Sequence, residues 1–320
     1  MHFMEFLTKK TNELTKEEQE GIVMLFNEIF EKDRTVEYQI NNYIQNVLGY
    51  SFHTFVTDGM RVIAHVADVP CYYNVNSEKK LFSDAVDGFV KREYRDAFIL
   101  IEMFQTHRKY LKENGVCLQF GFPNEYAQKV YNKGKLFKKI GEMRTYFLPY
   151  CIGGIKPALS FMNVFSKTFC WMWVYFAGLF ASSKKTIFMY EKDDETYNPT
   201  RYKRMDAGYS WVKENGCEFM YKIMEYEGIR TVFLIDVVGK SSKAFNMAVK
   251  YILKHEHNNF DLLLYSGNIY SCMHGMIKIP KKIEPKQFNF SIKILDNNIK
   301  SENIENIKNW DVNLSSYDLL

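Results

Sequence analysis

The sequence predicts a mixed α/β (α+β) protein of two domains, each with a mixed central sheet flanked by helices. The 320 residues are enough for two domains of about 150 residues each. Apolar runs of strand length alternate with helical patterns, and the order strand, helix, strand recurs at the centre of both halves. We therefore expect one domain over residues 1–150, a hydrophobic connecting segment over 151–184 and a second domain over 185–320.

The composition indicates two packed cores and an ordinary surface. Hydrophobic residues make up 47% of the chain, and 42 basic against 38 acidic side chains leave a net charge of only +4. So mild a charge predicts no nucleic-acid partner. The six cysteines are scattered, without a C-x-x-C pair or a nearby histidine at metal-ligand spacing. We expect no bound metal, no secretory signal and a cytoplasmic location.

The first half begins with two helices and a hairpin. Thr15 and Glu18 have the spacing of a capping box, and apolar residues then recur at helical spacing. A second helical pattern follows Thr35. Asp58-Gly59, a pair favoured in tight hairpins, separates two strand-like runs. A strand over 81–90 and another helix follow, so we expect a mixed sheet with helices on both faces.

The stretch from Gly115 to Tyr146 has the pattern strand, sharp turn, helix, strand. Its first apolar run, 116–120, must stop at Gly121 and Pro123, because these residues do not both fit inside a regular strand. Asn124 is a favourable N-cap for the helix that follows. A helix N-terminus is thus expected at the carboxyl edge of a sheet, where ligands of α/β sheets tend to bind.

The second half repeats this style after an unusually apolar segment. Phe169 to Ala181 holds thirteen residues without a charge, fewer than the roughly twenty that a bilayer span needs. Two interpretations stay open: a helix buried between domains or in a homodimer contact, and a helix in a membrane interface with aromatic anchors. Further on, we expect strands over 186–190, 217–224, 229–238, 260–265 and 288–295 and a helix over 242–255.

Two segments of the first half resemble the GNAT superfamily of N-acetyltransferases: the run from Val90 to Phe98, and the turn from Gly121 to Asn124 with the following Ala127 and Tyr131. In that family an Arg or Gln opens a glycine-containing loop over the pyrophosphate of coenzyme A. The helix after the turn has the spacing N-x-x-A-x-x-x-Y. The resemblance extends over residues 12–150, and the whole chain is similar to the tandem type encoded with bacterial surface-polysaccharide enzymes. It implies two acyl-CoA N-acyltransferase-like domains, the second degenerate.

The resemblance implies acetyl-CoA as the co-substrate, with its pyrophosphate at the loop of Arg95. Backbone N–H groups at a helix N-terminus bind phosphate without requiring particular side chains. The sequence departs from the family where glycine is usual, because it has Asp96, Phe98 and Leu100 there. The residues implied in coenzyme binding are Val90, Arg95, Asp96, Ala97, Phe98 and Asn124.

Acyl transfer to an amine needs a base for the amine proton and an acid for the leaving thiolate. The resemblance implies Tyr131 as the acid and Asp87, on the strand before the loop, as the base. Asp84 lies three residues earlier and would point to the opposite face of a regular strand. His65 and His107 are each interpreted as a half-buried histidine with satisfied ring nitrogens rather than as a base.

The resemblance implies an N-acyltransferase that moves an acetyl or short acyl group from acyl-CoA to an amine. The resemblance implies an amino sugar of a surface polysaccharide as the acceptor. Two alternatives remain: a Fem-type aminoacyl-tRNA-dependent transferase, and a non-catalytic binding protein that kept the fold. We also expect either or both of two associations: a homodimer, and a peripheral contact with the inner face of the membrane through Phe169–Ala181.

Overall fold

The structure is a computed structural model that describes residues 4–95, 97–202, 208–214, 216–268, 275–284, 288–299 and 303–317. The chain forms two compact units. The first consists of Met1–Gly141, Met189–Arg204 and Phe288–Asn309, and the second of Glu142–Phe188, Met205–Gln287 and Trp310–Leu320. Two late segments thus belong to the first unit, whereas the sequence suggested contiguous domains over 1–150 and 185–320.

Thirteen strands and eight α-helices lie in the described ranges. The strands are β1 Met4–Lys10, β2 Phe52–Asp58, β3 Arg61–Val75, β4 Glu78–Val90, β5 Leu118–Gly121, β6 Lys138–Pro149, β7 Tyr190–Lys192, β8 Ser210–Glu214, β9 Cys217–Tyr226, β10 Ile229–Val237, β11 Leu262–Gly267, β12 Ile277–Lys278 and β13 Phe288–Ile294. The helices are α1 Lys16–Phe30, α2 Val36–Ile44, α3 Ala97–Glu113, α4 Glu125–Lys133, α5 Ile152–Ile155, α6 Asn163–Leu179, α7 Asp194–Tyr202 and α8 Ser242–His255.

In the first unit the strand order is β1-β2-β3-β4-β5-β13, with β7 beside the far end of β3. The β4–β5 pair is parallel and the other pairs are antiparallel. Successive side chains of a strand point to opposite faces, and here both faces carry apolar side chains. Helices therefore cover both faces of the sheet. Phe55 packs with the α1 residues Ile22 and Phe26, and its neighbour Val56 packs with Met103 of α3.

In the second unit the sheet order is β6-β11-β10-β9-β8, with β12 also paired to β6. The β10–β11 pair is parallel. Helix α8 buries Phe245, Val249 and Ile252 in the core of this unit, where Val174 of α6 also packs. Ser241 caps α8 by accepting a hydrogen bond from the Ala244 backbone N–H at 3.2 Å.

Several predicted elements are confirmed, and others differ. The capping box of Thr15 and Glu18 starts α1, and the hairpin turns after Asp58. Strand β1 was missed, and the run over 186–190 becomes a strand only at Tyr190. The five described cysteines are free thiols. Among the described residues, no helix has both the length and the apolar character needed to cross a bilayer.

Candidate active site

Strand β4 carries a β-bulge in the first unit. Ala67 pairs with Val86 and His65 with Phe89, so that Asp87 and Gly88 together lie opposite Val66. Asp87 has a φ of 49°, in the left-handed region that a side chain rarely adopts. Because bulges re-aim side chains and are over-represented next to active sites, this bulge marks a candidate site.

Strands β4 and β5 part just before this bulge. Their parallel ladder has three pairs, from Phe82–Leu118 to Asp84–Phe120, while β4 continues to Val90. The backbones come close at Gly121, where an added Cβ would lie 3.2 Å from the Ala85 carbonyl oxygen. A side chain there would be a tight contact that requires the neighbouring backbone to shift by a few tenths of an ångström, which favours glycine. The turn through Pro123 then leads the chain away into α4.

Two side chains of α2 hold the Asp87 carboxylate. The Tyr43 hydroxyl and the Gln39 side-chain amide both donate to Asp87 Oδ2, over 2.8 and 2.7 Å. Both donors are almost fully buried. Burial first, and the Asp87 charge next, raise the pKa of Tyr43 well above its usual range, so its hydroxyl remains a donor.

Tyr131 approaches the bulge from α4. Its ring packs on Phe104 and Phe137, with centroids 5.6 and 5.0 Å away. Its hydroxyl oxygen lies 3.5 Å from the position that a Cβ on Gly88 would occupy. No described residue forms a hydrogen bond with this hydroxyl. Burial, together with the negative charge of Asp68, raises the pKa of Tyr131 to about 12, which keeps the hydroxyl protonated.

The side chain of Asp87 and the hydroxyl of Tyr131 lie on opposite faces of the sheet at the bulge. Tyr43, the partner of Asp87, contacts the His53 ring with centroids 4.6 Å apart, on the face that α1 and α2 cover. Tyr131 belongs to the cluster of α3 and Val66 on the other face. The carboxylate and the phenol are thus separated by the strand that carries the bulge.

The expectation that Asp84 and Asp87 point to opposite faces was wrong. Asp84 pairs with Val69, which shares a face with Ala67 and His65. Asp87 lies on that face too, because the extra residue of the bulge shifts the alternation.

The loop before α3 holds most of the residues implied in coenzyme binding. Arg95 is exposed, and its Nε donates to the Val90 carbonyl at the end of β4 over 2.9 Å. Ala97 is the first residue of α3, and Phe98 in its first turn is 67% exposed. Asp96 lies outside the described residues. The structure thus brings Arg95, Val90 and the α3 N-terminus together.

Asn124 caps α4 as predicted. Its Oδ1 accepts the Ala127 backbone N–H over 2.8 Å. The residue is exposed at the turn that follows β5.

His53, His65 and His107 belong to buried polar networks in the first unit. His107 contacts Asp68 Oδ1 at 3.0 Å and Thr54 at 2.8 Å, and the Gln119 side chain also donates to Asp68. His65 contacts His53 at 3.1 Å. Burial, then the nearby His107, lowers the pKa of His65 to about 3, so His65 is neutral. His65 and His107 are both fully buried rather than half-buried. The ring nitrogens of His107 are satisfied as expected, whereas His65 Nδ1 has no hydrogen-bond partner among the described residues.

Sequence reasoning did not single out Gln39 and Tyr43 as site residues. Their i, i+4 spacing on a helix beginning after Thr35 was the available signal, because it places two hydrogen-bonding groups on one face. Their partner could not be read from that spacing. Among the described residues, no group of three or more His, Cys, Asp or Glu side chains has the arrangement of a metal site.

No protein-family model and no curated protein matches the sequence. Solved structures do resemble the chain. A GCN5-related N-acetyltransferase from Kribbella flavida has a TM-score of 0.63 at 10% identity, over 93% of this chain and 72% of that one. Another from Anabaena variabilis ATCC 29413 has a TM-score of 0.59 at 11% identity, over 91% and 73%. Saccharomyces cerevisiae N-myristoyltransferase, solved with bound myristoyl-CoA, has a TM-score of 0.51 at 9% identity, over 90% and 78%.

The protein therefore has the mixed α/β fold of the acyl-CoA N-acyltransferases. The matched share of the chain exceeds either compact unit, so the likeness extends over residues of both. At such low identities the likeness establishes the fold, and the chemistry depends on the residues of this chain.

Proposed function

We propose that the protein is an N-acyltransferase that moves an acetyl or other short acyl group from acyl-CoA to an amine. The supporting observation is the arrangement at the β4 bulge. The Asp87 carboxylate lies on the α2 face, and the Tyr131 hydroxyl approaches Gly88 from the α4 face. A base and an acid thus flank the place where β4 and β5 part.

The two groups suit the two proton transfers of aminolysis. Asp87 accepts the proton that the amine loses as its nitrogen bonds to the thioester carbonyl carbon. Tyr131 donates its proton to the sulfur as the C–S bond breaks, and solvent later returns that proton. The bond that forms and the bond that breaks involve different substituents of the tetrahedral carbon. A base on one face can therefore assist formation of the C–N bond, while an acid on the other face assists cleavage of the C–S bond.

The donor site is proposed along the end of β4 and the start of α3. The pantetheine arm is an extended chain with amides, which suits the stretch of β4 beyond its ladder with β5. The N–H groups at the start of α3 and the Arg95 guanidinium would bind the phosphates. Phe98 stands where family members have glycine, and its side chain is exposed.

The acceptor is proposed to be an amino sugar destined for a surface polysaccharide, in the cytoplasm. The acceptor class and the location rest on the sequence resemblance to tandem acetyltransferase-type proteins. The carboxylate at the acceptor side suits any amine.

The function is tested by incubating the protein with acetyl-CoA and a panel of amines that includes nucleotide-linked amino sugars. We expect free thiol and acetylated amine in equal amounts, detected by a thiol reagent and by mass spectrometry. Thiol release that is the same without any amine would contradict acyl transfer. Transfer from aminoacyl-tRNA, with no use of acetyl-CoA, would favour the Fem-type alternative.

A further inference from the structure

Helix α6 of the second unit packs by one narrow stripe and exposes the rest of its surface. Cys170, Val174 and Ala177 are buried, and the Asn246 side chain of α8 donates to the Val174 carbonyl over 2.8 Å. The outward residues are apolar, and they include Val164, Phe165, Phe169, Met172, Phe176 and Leu179. Within the second unit this face of α6 is left uncovered.

The exposed face lacks the polar residues that a solvated helix carries. Thr168 is the polar residue on it, and its hydroxyl donates to the Val164 carbonyl over 2.8 Å. Beyond the two ends of the helix, Phe161 and Phe180 are 75% and 70% exposed. Contiguous apolar surface of this kind marks an interaction site.

The charges that the segment around α6 itself carries have a single sign. From residue 143 to residue 190 the chain contains no Asp or Glu. The same stretch carries Lys156, Lys167, Lys184 and Lys185, all wholly or partly accessible to solvent. Such a face is complementary to a partner with an apolar layer and negative charges at the boundary of that layer. The apolar side chains would enter the layer, and the lysines would contact the negative charges.

We propose that α6 lies flat in the interfacial layer of a membrane that contains anionic lipids. The apolar face would enter the boundary between headgroups and acyl chains, and the bordering lysines would contact the headgroup phosphates. Trp171, Trp173 and Tyr175, which are all exposed, provide the aromatic side chains that favour this layer. The 17 residues of α6 are short for a span but sufficient to lie in the plane.

The charges favour a lipid surface over a second copy of this chain. In a twofold dimer the same patch lies on both subunits, so the lysine borders would face each other. Anionic headgroups neutralise these charges instead. The excess of lysines on this segment therefore favours the lipid surface.

A cleft beside α6 adds basic groups to the same border. It has a volume of about 370 Å³ and lies between Trp171 and Tyr175 on one side and Lys250 and Lys254 of α8 on the other. The Lys250 ammonium is 5.6 Å from the centroid of the Tyr175 ring. Glu214 also lines the cleft, so its charge is mixed. Two ammonium groups beside exposed aromatic rings suit a lipid headgroup.

The test is sedimentation of the full chain with vesicles of phosphatidylcholine, alone or mixed with phosphatidylglycerol. We expect binding to the mixed vesicles, with a blue shift and dequenching of tryptophan emission. The shift should be lost in Trp171→Phe/Trp173→Phe, which keeps the half-buried Trp211 and the buried Trp310 as an internal reference. Lys184→Glu/Lys185→Glu should weaken binding by about tenfold or more, because each lysine near the surface contributes severalfold.

The apolar part is tested by Phe165→Ser/Phe169→Ser/Phe176→Ser, which should abolish vesicle binding. Met24→Ser/Met60→Ser, which removes exposed apolar side chains of the first unit, and Lys109→Glu/Lys112→Glu on α3 are matched controls that should bind like the wild type. Equal sedimentation of the apolar variant and the wild type would overturn the proposal. So would a wild-type dimer in light scattering that does not bind vesicles and becomes monomeric in the apolar variant.

Discussion

The Tyr43 hydroxyl donates a hydrogen bond of 2.8 Å to the carboxylate of Asp87, across 44 residues of sequence. This bond ties α2 to the bulge of β4. Gln39 donates to the same carboxylate oxygen, so Asp87 is fixed from two sides although its backbone has a strained φ. A base held in this way keeps one orientation toward the acceptor.

We expect Tyr43→Phe to lower both turnover and stability. The variant removes a buried hydrogen bond to a carboxylate, which contributes about 1.5 to 3 kcal/mol to the free energy of unfolding. Urea unfolding measures this loss, and steady-state kinetics should show a lower kcat with an unchanged KM for acetyl-CoA. Tyr38→Phe is the matched control, because Tyr38 lies on the same helix but is 38% exposed. Equal effects of both variants would contradict the role given to Tyr43.

Asp87→Asn should lower the rate of transfer by about 100- to 10,000-fold, the usual contribution of a positioned general base. Calorimetric binding of acetyl-CoA should be unchanged, since Asp87 is assigned to the acceptor. Asp84→Asn is the informative comparison because Asp84 lies on the same face of the same strand. A larger loss in Asp84→Asn than in Asp87→Asn would show that the base was assigned to the wrong carboxylate.

Tyr131→Phe should reduce kcat for acetyl-CoA with little change in donor affinity. The effect should shrink with an activated thioester whose thiol has a lower pKa, because such a leaving group needs no proton. With its pKa raised to about 12, the Tyr131 phenol stays protonated below that pH. The wild-type rate should therefore not fall on the alkaline side through Tyr131 below about pH 11. Tyr126→Phe, an exposed change on the same helix, should behave like the wild type.

We expect the free energy of unfolding to decrease as the pH falls, because His65 is buried in its neutral form. His65 has a pKa of about 3 when folded and about 6.5 when unfolded, so below 6.5 the unfolded chain binds a proton that the folded chain excludes. Its contribution is complete above pH 6.5 and falls as the pH drops, by roughly 2 kcal/mol between pH 7 and pH 5. Urea unfolding across this range should give a smaller slope in His65→Gln than in the wild type. The exposed His257→Gln serves as the control, and equal slopes in all three proteins would contradict the account.

Local signals in the sequence were sufficient for many elements. Capping residues and turn pairs act over a few residues, and they correctly predicted the start of α1, the hairpin after Asp58 and the cap at Asn124. Strand β1 was missed because its apolar and polar residues do not form a buried pattern. Its side chains are only partly buried against β2.

Long-range pairing was beyond the sequence. The strand β13 was predicted, but its partner β5 lies far away in sequence, and nothing local indicates that Phe288–Ile294 returns to the first unit. The bulge at Asp87 likewise depends on the register with β3. For the same reason the sequence suggested Asp87 and Tyr131 separately, but not that they reach the bulge from opposite faces.

The central claim is that the end of β4 and the start of α3 bind an acyl-CoA, and calorimetry with acetyl-CoA measures it most directly. We expect a micromolar dissociation constant for the wild type and binding about tenfold or more weaker for Arg95→Ala, since a charge-assisted contact to phosphate contributes about 1.5 to 3 kcal/mol. S-acetylpantetheine, which lacks the pyrophosphate, should bind both proteins equally. No heat of binding at high acetyl-CoA concentration would contradict the claim and leave a binding protein that kept the acyltransferase fold.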